Sequence, residues 1–284
     1  MNERSLPFFE SFGLQFRKNP LLYGAFTLFC TISICAILAP VFSPYSYTDI
    51  YLEQKNLPPS FSHWFGTDDL GRDLFTRVWW GARISLFIGC LAAIIDLIIG
   101  VLWGSISGFI GGKTDLWMMR VCDILHSIPY LLIVILLTVV RGSGIMTILI
   151  AMTITGWISM ARIIRGHIMQ LKNLDFILAA KAIGASNSRI LFIHLLPNTM
   201  GTLATMLTLT IPHAIFTEAF LSFLGLGIQA PASSLGVMIA DSFSAMRFYP
   251  WRLFFPCITI TLTMFCLNII GNALQDLLDP RLKP

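Results

Sequence analysis

Charge is what this chain has least of. Only 12% of its 284 residues are Asp, Glu, Lys or Arg, against 56% hydrophobic residues and a mean hydropathy of +0.76, and such a chain cannot cover a globular core with polar surface. An ordinary soluble domain is therefore excluded. Strand-length segments of alternating polarity are also missing, which excludes a transmembrane barrel. Lipid offers backbone N–H and C=O groups no outside partner, so helices remain. Paired cysteines are absent too: Cys30, Cys35, Cys90, Cys122, Cys257 and Cys266 lie in or at the edge of apolar runs with no CxxC spacing, and read as small apolar fillers rather than a disulfide framework or a metal site. The histidines, His63, His126, His167, His194 and His213, show neither HxxxH nor HExxH spacing, so no metal is expected. No nucleophile stands with a base, so no catalytic residue, no cofactor and no nucleic-acid partner are expected.

What the chain does have is long apolar runs. Six are of spanning length: Leu21 to Phe42, Ile84 to Ser107, Val121 to Val140, Gly144 to Ala161, Thr199 to Gly227 and Leu253 to Leu274. Each is long enough for about 20 residues of helix to cross a bilayer. The first begins at Leu21, is longer than a signal-peptide core and has no convincing cleavage site, so it is expected to remain as a span. Six spans put both termini on one side. That side collects Arg4, Arg17, Lys18, Lys113, Arg120, Arg162, Arg165, Lys172, Lys181, Arg189, Arg281 and Lys283, twelve of the nineteen basic residues, and the other collects Lys55, Arg72, Arg77, Arg83, Arg141, Arg247 and Arg252. The excess of cations places the termini in the cytoplasm. Trp79, Trp80 and Trp251 fall near outer span ends and Trp103 and Trp117 near inner ones, as interface-seeking indoles do. The expected fold is all-α: a polytopic membrane protein of six transmembrane helices.

Segments outside the runs are short. Residues 1–80 are expected to form a cytoplasmic N-terminus, the first span and an external cap from Ser43 to Arg83; residues 81–284 form a five-helix core. The pairs Asp68/Asp69 and Arg72/Asp73 read as a solvated, turn-forming cap on which another protein could dock. Gly108 to Lys113 ends in GGKT, yet Ser107 stands where a phosphate-binding loop needs its first glycine and no strand precedes it. It is read as a turn, which leaves the chain without an ATPase site.

The one polar interlude with internal structure runs from Leu171 to Asn198. Asn173 is placed to cap a helix over about 174–183, Asp175 sits in its first turn, and Gly184 is placed for a left-handed stop. Ser186 is placed to cap a second helix running to Leu196 and ended by Pro197. Ala179 and Ala180 give the first helix a small face that another protein could approach closely, and nothing in it can do chemistry. On physical grounds alone it is either such a docking surface or an amphipathic connector on the membrane.

Within the apolar runs two acids stand out. An ionised carboxylate near a helix centre costs about 2.5–3.5 kcal/mol on insertion scales. Asp96 shares a drifting face with Gly100, Gly104 and Gly108, a spacing that lets another helix pack closely, so Asp96 is expected to point into the bundle, as packing element or path lining. Glu218 shares a face with Ser222 and Gly225 beyond Pro212, where a kink is expected, and reads as a gate or path residue.

The stretch LAAKAIGASNSRILFIHLLP resembles the cytoplasmic coupling motif of bacterial ABC importer permeases: E-A-A, three residues, G, nine residues, I-x-L-P. Ala179, Ala180, Gly184, Leu196 and Pro197 match at the required spacing, with Leu178 in place of the Glu and His194 in place of the Ile. FGTDDLGRDLFTR, GARISL, EAFLSFLGLGIQAP and NIIGNALQDLLDPRL are similar to the second permease of the dipeptide/oligopeptide/nickel importers, so the likeness covers nearly the whole chain. It implies the ABC importer permease fold in a bacterial inner membrane, with partners to match: a second homologous permease, two cytoplasmic ATP-binding subunits docked on the coupling helix, and an extracytoplasmic solute-binding protein. It also implies transport of oligopeptides or dipeptides, with nickel or another small solute as the alternative. Peptides are favoured because no His/Met-rich external cluster suggests metal handling. A secondary transporter would show internal repeats and an ion site in paired broken helices, and neither half of the sequence repeats the other.

Overall fold

A computed structural model of the chain describes residues 19–278. The terminal cations Arg4, Arg17, Lys18, Arg281 and Lys283, and the DPRL that closes the last motif, lie outside the described residues. Helix α1 (Pro20–Phe42) opens where Asn19 Oδ1 accepts from the N–H groups of Leu21 at 3.1 Å and Leu22 at 3.3 Å, with Pro20 in the first position, where a missing N–H leaves no bond unmade. Helix α2 (Leu74–Ile110) has 37 residues, so at 1.5 Å per residue it is far longer than a hydrocarbon core of about 30 Å. Helices α3 (Gly112–Ser127) and α4 (Tyr130–Arg141) follow, then α5 (Ile145–Thr155) and α6 (Trp157–Leu171), which together form one rod of 27 residues. Next come α7 (Asp175–Ala182), α8 (Asn187–Phe223), α9 (Leu235–Phe243) and α10 (Pro250–Leu278). Apart from an isolated antiparallel bridge between Thr67 and Asp73, the described residues hold no strand pairing.

Among the described residues five helices are long and apolar enough to cross a membrane: α1, α2, the α5–α6 rod, α8 and α10; α3 and α4 make a sixth crossing if taken as one bent span. Val121 to Val140 is thus not the straight helix that its hydropathy suggests. The chain turns by 77° between α3 and α4, where Pro129 cannot donate and pushes Ile128 into extended backbone (φ −77°, ψ 125°). Only between 17% and 56% of the most apolar stretch of each spanning helix is buried within the chain. The remaining apolar surface, including Val41, Phe42, Val139 and Val140, needs lipid or other chains to cover it.

The chain divides into two compact units. The first comprises described residues 19–89 and 211–278. Its core joins Leu74, Val78 and Ala82 of α2 to Ile215 of α8, Leu235 and Met238 of α9, and Ile260 and Leu267 of α10. Gly81 lies under the Ser234–Leu235 backbone at 3.1 Å to a would-be Cβ, and Gly236 lies against Ala219, so α9 sits close on both α2 and α8. The cap closes on this core through Phe65, stacked on Phe255 with ring centroids 3.9 Å apart.

The second unit, residues 90–210, is built on the helical stripe Gly100, Gly104 and Gly108. A Cβ at these positions would strike Met160, the Ala161 backbone and the Arg165 backbone respectively, so the stripe is the seam along which α2 and α6 touch. Around it Ile164, Ile168, Ile177, Ile190 and Leu195 form one apolar cluster and Cys122, Trp157, Ile158 and Ala161 another.

Candidate coupling helix and buried polar sites

Helix α7 begins one residue later than the capping residues suggest. Asn173 does not cap it: its Nδ2 donates back to the Met169 carbonyl at 3.2 Å, and Leu174 takes the cap position with no side-chain bond. The end of the helix is as expected. Gly184 has φ +83°, its N–H donates to the Lys181 carbonyl at 3.0 Å and the Ala185 N–H to the Ala180 carbonyl at 3.0 Å. This is the paired closure of a Schellman stop, which needs a left-handed residue. Ser186 caps the following helix as expected, Oγ accepting from the Arg189 N–H at 3.4 Å.

That second helix does not stop at Pro197. After Asn187–Arg189 it widens into a π turn, Ile190–Leu195, and continues from Leu196 to Phe223. The wider turn breaks the regular ladder where the missing N–H of Pro197 would have been needed, so the proline is accommodated in the first turn of the continuing helix. The five motif residues therefore differ in setting. Ala180 is buried and faces inward beside buried Ile177; Ala179, Gly184 and Pro197 are exposed; Leu196 is half-buried. The outward face of the interlude is apolar, with Leu174, Phe176, Leu178 and Ile183 exposed, Ile183 to 87%. Leu178 is among them, so the position where the family motif has Glu extends this greasy surface.

On the approach to α7, α6 is tied to the α2–α3 turn by a cluster that reading the sequence did not single out. Arg165 Nη2 donates to Asp115 Oδ2 at 2.6 Å while its Nε reaches Oδ1. Ser107 also donates to Asp115, and Lys172 Nζ donates to the Gly108 carbonyl at 2.8 Å. No local pattern announces a fork between residues fifty positions apart.

Asp96 and Glu218 are both buried, at 5% and 0% exposure, but their surroundings differ. Glu218 is satisfied: Ser85 Oγ donates to it at 3.0 Å and Ser222 Oγ at 2.8 Å. Ser85 Oγ also accepts from the Leu235 N–H at 3.4 Å, so the acid and its two serines connect α2, α8 and α9. The helix runs through Pro212 into this site, and Gly225 closes it with the same stop as Gly184 (φ +78°). Asp96 is packed against Gly156, the joint of the α5–α6 rod; its Oδ1 has no hydrogen-bond partner among the described residues, and neither has the buried Tyr130 hydroxyl.

Of the cap charges, Asp69 is exposed as its sequence suggests, but Asp68, Arg72 and Asp73 are not solvated. Asp68 and Asp73 are each 4% exposed. Asp68 Oδ2 accepts from Arg72 Nε at 2.7 Å and its Oδ1 from the N–H groups of Leu70 and Arg72 at 2.9 Å. Asp73 accepts from the N–H and the hydroxyl of Thr76 at 2.8 Å and lies 2.9 Å from His63 Nδ1, whose other nitrogen meets Gln54 Oε1 at 3.1 Å. Arg252 reaches Asp69 at 3.2 Å and Asn56 at 2.9 Å. Beside this network is a cavity of about 470 Å³, in the size range of ligand pockets. Burial pushes the carboxyl of Asp241, on its wall, above the ordinary range, and nearby Arg77 opposes the shift.

Comparison with known proteins agrees along the chain. Residues 100–284 match the family described as binding-protein-dependent transport system inner membrane component, and residues 8–59 match the N-terminal TM domain of oligopeptide transport permease C. The oligopeptide transport system permease protein OppC of Bacillus subtilis (strain 168) is 54% identical over 100% of this chain and 93% of its own length. The dipeptide transport system permease protein DppC of the same organism is 50% identical over 98% and 88%, and OppC of Escherichia coli (strain K12) 41% identical over 94% and 89%. A solved structure titled as inward-facing conformations of the MetNI methionine ABC transporter superposes with a TM-score of 0.57 at 17% identity, covering 70% of this chain and 94% of that one, a likeness of fold. With its full length aligned to such permeases and a multi-helix apolar body to match, the chain belongs to the family of binding-protein-dependent transport system inner membrane components.

Proposed function

We propose that this chain is one of two related permease subunits of an ATP-driven importer of oligopeptides or dipeptides. Its six crossings, α3 and α4 counted as one bent span, leave both termini in the cytoplasm, in line with the bias of basic residues to that side. Residues 1–80 supply the N-terminus, first span and external cap, and residues 81–284 the core that carries the lever. A solute-binding protein delivers peptide to the outer face and two cytoplasmic ATP-binding subunits supply the energy.

The observation that carries this reading is the form of α7. It is a short helix closed at Gly184, anchored inward by Ile177 and Ala180, with Leu174, Phe176, Leu178 and Ile183 left bare. A rigid, apolar knob on a helix connected through α6 to the Gly100–Gly104–Gly108 seam is suited to pass a displacement from a docked partner into the spans. When ATP draws the two nucleotide-binding subunits together, the knob moves with them and the path exchanges inward for outward access; hydrolysis resets it.

Ala180→Asp and Gly184→Val test the assignment in the assembled complex. The first buries a charge under α7 and the second strains its stop, so both should weaken retention of the ATP-binding subunits on co-purification and abolish uptake, while membrane insertion persists. Normal uptake with either change argues against the lever.

A further inference from the structure

The 470 Å³ cavity in the first unit is lined by the cap, by the segment after α8 and by α9, and its polar groups include Asp69, Arg72, Arg77, Gln229, Ser233 and Asp241. Arg77 is the unusual member. Its side chain is 4% exposed, and its Nε lies 3.4 Å from Asp68 Oδ2, at ion-pair range, but neither Nε nor Nη1 donates a hydrogen bond among the described residues. The nearest carboxylate is already engaged: Asp68 receives three other bonds, two from Arg72. A buried guanidinium with unused N–H groups costs stability unless something is bound to it, and its planar fork matches a carboxylate. Asp241 lines the same cavity without an ion pair among the described residues, so the site offers both signs of charge.

We propose that this cavity receives the C-terminal end of the transported peptide, with the terminal carboxylate bound by Arg77. The inference rests on the peptide-importer reading and refines it: every unmodified peptide carries that carboxylate whatever its side chains, so a fork that reads only the terminus admits many sequences. The volume holds an end of a peptide, not a long chain, and the cavity lies beside the cap, on the face assigned to the outside, where cargo arrives.

The test is uptake into proteoliposomes containing the complete complex, supplied with its solute-binding protein and ATP. One peptide is offered with a free C-terminal carboxylate and as the C-terminal amide, each rate scaled to the amount held by the binding protein. The wild-type complex should move the free acid at least about tenfold faster than the amide, the size expected for a charge-assisted bond. Arg77→Gln should bring the acid down to the rate of the amide and leave the amide unchanged, and Arg77→Lys, which keeps the charge without the fork, should retain part of the preference. Equal slowing of both forms by Arg77→Gln, or a preference that survives it, overturns the site and points to support of the cap or docking of the binding protein. If Arg77→Gln does not assemble, Arg77→Lys decides, since an unchanged preference there also overturns it. A wild-type complex that moves neither peptide defeats the peptide reading itself, and this site with it, before any variant is compared.

Discussion

The carboxylate of Asp96 rests on the backbone of Gly156: a methyl group added to Gly156 would lie 2.8 Å from both Asp96 Oδ1 and Cγ. Gly156 has ordinary helical angles (φ −60°, ψ −40°), so its lack of a side chain serves the approach of Asp96 and not the fold of its own backbone. An acid that enters lipid at a cost is thereby held against the joint of the α5–α6 rod.

Gly156→Ala should destabilise the purified protein by about 1–3 kcal/mol through overpacking. Combined with Asp96→Ala, which removes the group it strikes, most of that loss should return, giving a coupling energy of about 0.5 kcal/mol or more in a double-mutant cycle. Thermal unfolding in detergent measures it. Strict additivity would show that the two residues do not touch.

Glu218→Ala should cost about 1–3 kcal/mol because the hydroxyls of Ser85 and Ser222 lose their acceptor. Adding Ser222→Ala should cost little more, since that unpaired donor is then gone, whereas Ser85→Ala should add a cost of its own because the Leu235 N–H then loses its acceptor. Glu218→Gln keeps the shape and should insert normally while changing uptake or basal ATP hydrolysis; wild-type values for both would leave Glu218 a purely structural link between α2, α8 and α9.

Asp115→Asn and Arg165→Gln each break the fork that fastens α6 to the α2–α3 turn, at a cost of about 1–3 kcal/mol. We expect less solute moved per ATP hydrolysed, because α6 leads directly into α7. The exchange Asp115→Arg with Arg165→Asp should restore part of the ratio, and failure of either single change to alter it would confine the fork to stability.

At Gly184 nothing lies within 4 Å of a would-be Cβ, so the obstacle to a side chain is the left-handed backbone alone. Gly184→Asn should therefore be far better tolerated than Gly184→Val, since asparagine visits that region and a β-branched residue does not. Retention of the ATP-binding subunits on co-purification reports the difference. Equal loss with both would mean that the partner, not the backbone, excludes the side chain.

Much of this was legible in the residues. The apolar runs required helices, the spacing of Gly100, Gly104 and Gly108 foretold a close seam, and Gly184 and Ser186 marked a stop and a start, because such signals act within a few positions of the chain. Misreadings arose where a local rule met a competing contact. Pro197 does not end a helix because a π turn absorbs it, Val121 to Val140 is bent because Pro129 outweighs hydropathy, and Asn173 bonds backward to Met169 instead of capping α7.

By itself, then, the sequence determined the environment and the repeat of its elements: a chain so poor in charge must be helical in lipid, and the few turn residues of its polar interlude must delimit a short exposed helix. Only tertiary structure decided which polar groups find partners. Whether Asp96 is packed and Glu218 bonded, whether Arg165 meets Asp115, and whether Arg77 is left with unused donors beside a cavity depend on contacts between residues far apart in the chain. Pairing energies of that kind are set by distance and burial, which periodicity along a helix does not encode.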